Sequence, residues 1–215
     1  MTLSIAPAAL LAYLLGSIPT AVWYGRAFFK IDIREHGSGN AGATNTFRVL
    51  GKRAGTVVML VDVLKGFAAA SLVHILNALS TLSADEVLGL QLIFGFLAVL
   101  GHLFPILAQF RGGKGVATLL GMSLAIKPEV AAICIGVWLL VVIASQYVSL
   151  GSLLAALSFP VLLLFRISGQ PESPLLIAFG FVIFLVVVIT HKKNIGRLLQ
   201  GNESRTVLIK LKKKE

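Results

Sequence analysis

The chain has 215 residues, of which 57% are hydrophobic and only 13% charged, with a mean hydropathy of +0.91. Soluble domains carry about 25% charged residues, so this composition excludes an ordinary soluble fold and leaves room for six or seven membrane-crossing helices of about 20 residues each. A net charge of +10 would raise nucleic acid as a partner of a soluble chain, but in a membrane chain it reads as orientation and as anion binding at one face, with no nucleic acid partner.

The first apolar segment, Leu3 to Val22, has no Lys or Arg before it and no small-residue cleavage site after it, so it is expected to be a retained span and not a signal peptide. A polar stretch from Arg26 to Arg53 follows. Within it GSGNAGATN, Gly37 to Asn45, combines three glycines with Ser38, Asn40, Thr44 and Asn45, and Arg48 lies just beyond. Glycines let backbone amides approach an anion and the short side chains add donors. The segment reads either as a phosphate cradle or as an ordinary turn rich in Gly and Asn. It has neither the Lys-Ser/Thr of a Walker loop nor the pattern of a dinucleotide fingerprint.

The second span is expected at Ala54 to Leu76. Asp62 and Lys65, three apart, can share one side of that helix, and a structural ion pair facing a polar interior is the favoured reading. The third span, Val87 to Ala108, carries His102, expected to pack or hydrogen-bond, and leads into RGGKGVAT, Arg111 to Thr118. There Gly112, Gly113 and Gly115 bracket Lys114 just before a helix, so exposed amides, a positive helix end and an ammonium can converge on one anion.

Spans four and five, Val116 to Ile126 and Val130 to Ala144, are short, and Lys127, Pro128 and Glu129 part them. Cys134, the one cysteine, lies in the fifth and is expected to be a buried small hydrophobe, which rules out an intramolecular disulfide. The sixth, Val148 to Phe165, opens with Ser149 and Ser152, which either contact a substrate or bond across helix contacts. The seventh, Pro174 to Thr190, runs into HKKNIGRLLQGNE, where His191, Asn194 and Arg197 recur at steps of three and share one helix side. Glu203 is either a buried partner of a basic residue or a solvated carboxylate. The closing KLKKKE is expected at the lipid head groups.

Seven spans place 16 of the 19 Lys and Arg on one side, leaving Lys127 and Arg166 opposite and Lys65 inside span two. Positive residues collect in the cytoplasm. The expected fold is therefore all-α and polytopic, a single domain over 1–215, with the amino terminus outside and the carboxyl terminus cytoplasmic. No internal repeat relates the apolar segments.

Taken together, GSIP at Gly16 to Pro19, GSGNAGATN, DVLKG at Asp62 to Gly66, GHLFP with GGKGVAT, and HKKNIGRL resemble the bacterial membrane-bound acyl-phosphate:glycerol-3-phosphate acyltransferases. The motifs span almost the whole chain. One departure is Gln146 before YVSL, where some members carry a basic residue. The resemblance implies transfer of a fatty acyl group from acyl phosphate to the sn-1 hydroxyl of glycerol 3-phosphate, giving lysophosphatidic acid and phosphate. It implies a bacterial inner-membrane enzyme with its active site on the cytoplasmic face, working without acyl-CoA, metal or other cofactor. A monomer is expected.

By motif matching, Lys114, His191, Asn45 and Asn194 are the candidate catalytic residues. Ser38, Gly39, Asn40, Gly42, Thr44, Arg48, Gly112, Gly113, Gly115, Ser149 and Ser152 are the candidate substrate contacts. Arg48 and Lys114 would neutralise phosphate, and Asn or loop amides would bind the carbonyl oxygen as charge develops. His191 and a substrate phosphate are the two candidate bases.

The competing class is a transporter of a phosphorylated metabolite, but such sites lie near the membrane midplane and these motifs gather at one face. Acyltransferases using acyl-CoA would show His and Asp five positions apart, which none of His36, His74, His102 and His191 does.

Overall fold

In the computed structural model every regular element among the described residues is helical. The structure describes residues 2–165, 169 and 171–206, with side chains from residue 5 onward. The expected head-group segment Lys210 to Glu215, and Arg166, lie outside the described residues. The helices are α1 (Thr2–Gly16), α2 (Thr20–Tyr24), α3 (Ala43–Leu79), α4 (Ala84–Leu103), α5 (Val116–Ile126), α6 (Pro128–Ser145), α7 (Val148–Leu164), α8 (Pro174–Thr190) and α9 (Lys192–Leu199).

Among the described residues three stretches are long and apolar enough to cross a membrane: Ala43–Leu79, Ala84–Ala108 and Pro128–Ser145. Two bent pairs reach that length together, Ile5–Gly16 with Thr20–Phe29 at 45° and Pro174–Thr190 with Lys192–Leu199 at 66°. Val116–Ile126 and Val148–Leu164 are shorter apolar helices. The expected first span is thus broken at Ser17 to Pro19, because Pro19 lacks the N–H that would continue the ladder. The polar stretch after it also differs from expectation. Ala43–Leu50 already forms the first turns of α3, which bends at Gly51 (φ 85°), so Thr44, Asn45 and Arg48 stand on a helix and not in a turn.

The chain divides into two compact units, Met1–Pro128 and Glu129–Glu215. In the first, α3 packs against α1 and α4 around Ala12, Ala69, Val73, Phe94 and Ala98, and also against α5. Small residues set these contacts. A Cβ on Gly66 would collide with the Thr118 carbonyl, one on Gly121 with that of Val63, and one on Gly16 with that of Ala98. Close backbone approach through small residues is how helices associate where lipid removes the hydrophobic drive. In the second unit α7 packs on α8, and Gly151 lets α7 meet Trp138 and Val142 of α6. Cys134 is buried, as expected of a small hydrophobe.

Candidate active site

Two polar centres emerge, one in each unit. In the first, the loop before α3 is wound around Asn45. Its Oδ1 accepts the N–H of Ser38 at 2.9 Å, and its Nδ2 donates to the carbonyls of His36 (2.9 Å) and Ile33 (3.1 Å). Asn45 is 1% exposed. Both amide hydrogens are engaged, so in this structure the residue braces the loop from beneath. Gly37 and Gly39 take the left-handed conformations (φ 62° and 70°) that turn it, and Ser38, Gly39, Thr44 and Arg48 are left on the exposed side, with Asn40 and Gly42 half-buried.

The same loop is tied down by residues the sequence analysis does not single out. Asp32 accepts two bonds from the Arg34 guanidinium, to Nη2 (2.6 Å) and Nε (3.0 Å), and a third from Arg26 (2.8 Å). Arg34 in turn donates to the Ala108 carbonyl at 2.9 Å, joining this loop to the one that follows α4. The Arg34 guanidinium beside it, helped by the Arg34 N–H and Arg26 against the opposing effect of burial, holds the Asp32 carboxyl well below the usual range. Asp32 correspondingly raises Arg34. The signal was present as D-I-R, an acid capping a turn two residues before a base.

Gly112, Gly113, Ala41, Lys65, His102 and Thr20 line one small cavity, so the two glycine-rich loops of this unit meet there. Lys114 is half-buried beside it in sequence. Gly115 is the N-cap of α5 with φ 80°, and no side chain caps that helix. Its first N–H groups therefore form a positive end beside Lys114. Beneath the cavity the expected ion pair is present, with Lys65 Nζ 2.8 Å from Asp62 Oδ1. Thr20 Oγ1 donates to the same oxygen at 3.2 Å, Lys65 also donates to the Ile18 carbonyl at 2.9 Å, and His102 Nδ1 lies 3.7 Å away from Asp62.

In the second unit Glu203 is the hub. Its carboxylate accepts Asn194 Nδ2 (2.6 Å), Ser149 Oγ (2.9 Å) and Arg197 Nε (2.7 Å). Burial pushes this carboxyl up, but the Arg197, Asn194 and Ser149 donors together outweigh it and the net shift is downward. Ser152 turns its hydroxyl to the Val148 carbonyl at 2.9 Å. His191, 2% exposed, sets Nδ1 2.8 Å from the Val187 carbonyl. A carbonyl only accepts, so in the neutral ring Nδ1 carries the hydrogen and Nε2 the lone pair.

This arrangement, all-helical among the described residues and with helices long and apolar enough to cross a bilayer, defines an integral membrane protein. The family profile described as glycerol-3-phosphate acyltransferase matches residues 6–201. A protein of that description from Salinibacter ruber is 44% identical over 91% of this chain and 90% of its own length, and one from Chlorobium phaeobacteroides is 42% identical over 90% and 93%. Two crystal structures of PlsY, an integral membrane glycerol 3-phosphate acyltransferase, are also similar. The glycerol 3-phosphate form gives a TM-score of 0.80 at 37% identity over 94% of this chain and 96% of that one. The lysophosphatidic acid form gives 0.80 at 36% identity over 95% and 97%. The chain belongs to the glycerol-3-phosphate acyltransferase family.

Proposed function

We propose that this protein transfers a fatty acyl group from an acyl phosphate to the sn-1 hydroxyl of glycerol 3-phosphate, at the cytoplasmic face of a bacterial inner membrane. The observation that carries the reading is the uncapped amino end of α5 with Gly115 and Lys114 beside it, in a unit whose two glycine-rich loops share one cavity. Such an end offers N–H groups and partial positive charge to phosphate, and both substrates bear phosphate. The relatives' names supply glycerol 3-phosphate as acceptor.

In the reaction the sn-1 hydroxyl oxygen attacks the acyl carbonyl carbon, the bond from that carbon to the phosphate oxygen breaks, and phosphate leaves with the electron pair. A mixed anhydride needs no covalent enzyme intermediate, so positioning and electrostatics carry the rate. Lys114, Arg48 and the amides of Gly112 and Gly115 hold phosphate charge, while Gly113, whose own N–H is bonded to the His102 carbonyl, lets the loop close on the site. Ser38, Gly39, Asn40, Gly42 and Thr44 supply further contacts on the loop that Asn45 braces. In the second unit Asn194, Ser149 and Ser152 are assigned as polar contacts. A substrate phosphate oxygen takes the hydroxyl proton, and the His191 imidazole is the second candidate base. The enzyme works as a monomer without metal or other cofactor.

Purified protein is expected to release phosphate from palmitoyl phosphate only when glycerol 3-phosphate is present. Comparable acylation from palmitoyl-CoA would sink the donor assignment, and uptake of glycerol 3-phosphate into vesicles without acylation would favour a transporter.

Seven spans with the carboxyl terminus inside are supported by the 16 of 19 basic residues that this orientation gathers in the cytoplasm. Single cysteines at Asn40, Lys114 and Gln200, in a Cys134→Ala background, should resist an impermeant thiol reagent added outside intact cells. Labelling of any one of them removes this topology.

A further inference from the structure

Two of the three glycines in RGGKG are required by a single residue. His102, 6% exposed, accepts the N–H of Gly113 on its carbonyl oxygen at 3.1 Å. A Cβ on Gly112 would collide with that same oxygen, and a Cβ on Gly113 would collide with the ring nitrogen Nε2. The histidine thus meets the loop through main chain and ring at once, over a contact that only glycine permits. Its other ring nitrogen faces Asp62 Oδ1 at 3.7 Å.

Asp62 is itself immobilised by Lys65 at 2.8 Å and Thr20 at 3.2 Å, and Lys65 is anchored to the Ile18 carbonyl. A line of polar contacts therefore runs from the break between α1 and α2, across α3, to the end of α4, and onto the backbone next to Lys114. Apolar side chains would fill this space without taking an acid, a base and an imidazole out of water. What the buried set adds is a fixed surrounding for the ring, with the anchored Asp62 carboxylate 3.7 Å from one nitrogen and Gly113 closed against the other.

We propose that His102, packed between Asp62 and the glycine loop, is the positioning residue of the Gly112–Gly115 loop and aims Lys114 and the loop amides at the substrate anion. It acts through the loop backbone and does not touch substrate. This rests on the reading of that loop as the anion site.

The test is a double-mutant cycle on the full-length protein, reading kcat/KM for glycerol 3-phosphate with palmitoyl phosphate, per monodisperse molecule. His102→Phe keeps the ring volume and removes both nitrogens. It should lower kcat/KM by roughly 10- to 100-fold, the scale of an ångström-sized misplacement. In a Lys114→Ala background the same change should cost less than about threefold, because the charge being aimed is gone. A merely structural histidine gives equal losses in both backgrounds, and that result, or a silent His102→Phe, overturns the proposal. Lys114→Ala with wild-type activity overturns instead the anion-loop reading beneath it. Should His102→Phe fail to fold, His102→Gln, whose amide nitrogen reaches toward the Nε2 position, carries the same cycle. Equal losses there overturn the proposal in the same way.

Discussion

Asp62 in the first unit and Glu203 in the second are both carboxylates with almost no exposure, 2% and 6% of the side chain, yet they are satisfied in opposite ways. Asp62 faces a lysine that is 3% exposed, so neither partner has water to fall back on. Glu203 shares its charge among a hydroxyl, an amide and an arginine that is itself 40% exposed. Burying two ions together makes each indispensable to the other, whereas spreading one charge over two neutral donors and a half-exposed arginine lets any single partner go at modest cost. The first arrangement suits a fixed frame beneath a loop, and the second suits an adjustable one.

The largest effect is expected where the frame is broken on one side. Asp62→Ala leaves the Lys65 ammonium buried without its acid and should cost about 3–5 kcal/mol of stability, read as a fall in thermal midpoint and yield in detergent. Removing the lysine too, as Asp62→Ala with Lys65→Met, should restore much of that loss, because an apolar pair of similar volume replaces the ions. A double variant as unstable as the single one would show that the pair is not an isolated frame.

Next comes the loop above that frame. At the proposed anion site Lys114→Ala should remove a charge-assisted contact worth roughly 1.5 to 3 kcal/mol, a drop in kcat/KM of about 10- to 150-fold. The thermal midpoint should move little, since the half-buried residue contributes charge and little packing. Asp62→Ala thus acts on stability and, through His102, on turnover, whereas Lys114→Ala acts on turnover alone. A Lys114→Ala protein that is lost only by unfolding would merge the frame and the loop into one structural element.

The helices could be read from sequence where a chemical signal coincides with the edge of an apolar run. Val116–Ile126 begins after a glycine and ends before Lys127, and Pro174–Thr190 begins on a proline at its first turn, so both ends agree with expectation. The break at Ser17 to Pro19 was hidden because hydropathy continues straight through it. Ala43–Leu50 was hidden because Thr, Asn and Gly favour turns locally, while Asn45 here spends its amide on the preceding loop instead. The cause of Gly112 and Gly113 was also out of reach. Close approach could be inferred, but its object, His102, is a tertiary contact. Glu203 remained open between buried and solvated, and only the spacing of Ser149 and Asn194 in three dimensions decides it.

The smallest and most selective prediction concerns that carboxylate. Glu203→Gln keeps the shape and one oxygen acceptor and removes the charge, so the Ser149 and Asn194 bonds become neutral ones and the Arg197 pair is lost. Water screens that pair, since Arg197 is 40% exposed, and the net cost at neutral pH should be about 1–1.5 kcal/mol, or roughly 2–6 °C in thermal midpoint for a chain of this size. The sign with pH follows from the downward shift of the folded carboxyl. Its stabilisation is complete above the ordinary glutamate value of 4.5 and is lost as the pH falls through the lower folded value. Wild type should therefore exceed Glu203→Gln at pH 7, and the gap should close as the pH falls below 4.5 and through the folded value, while the Asp62→Ala deficit at pH 7 remains the larger one. A gap that stays constant from pH 7 into the acid range would mean that Glu203 holds its partners by shape alone, and the contrast with Asp62 would then be one of location and not of charge.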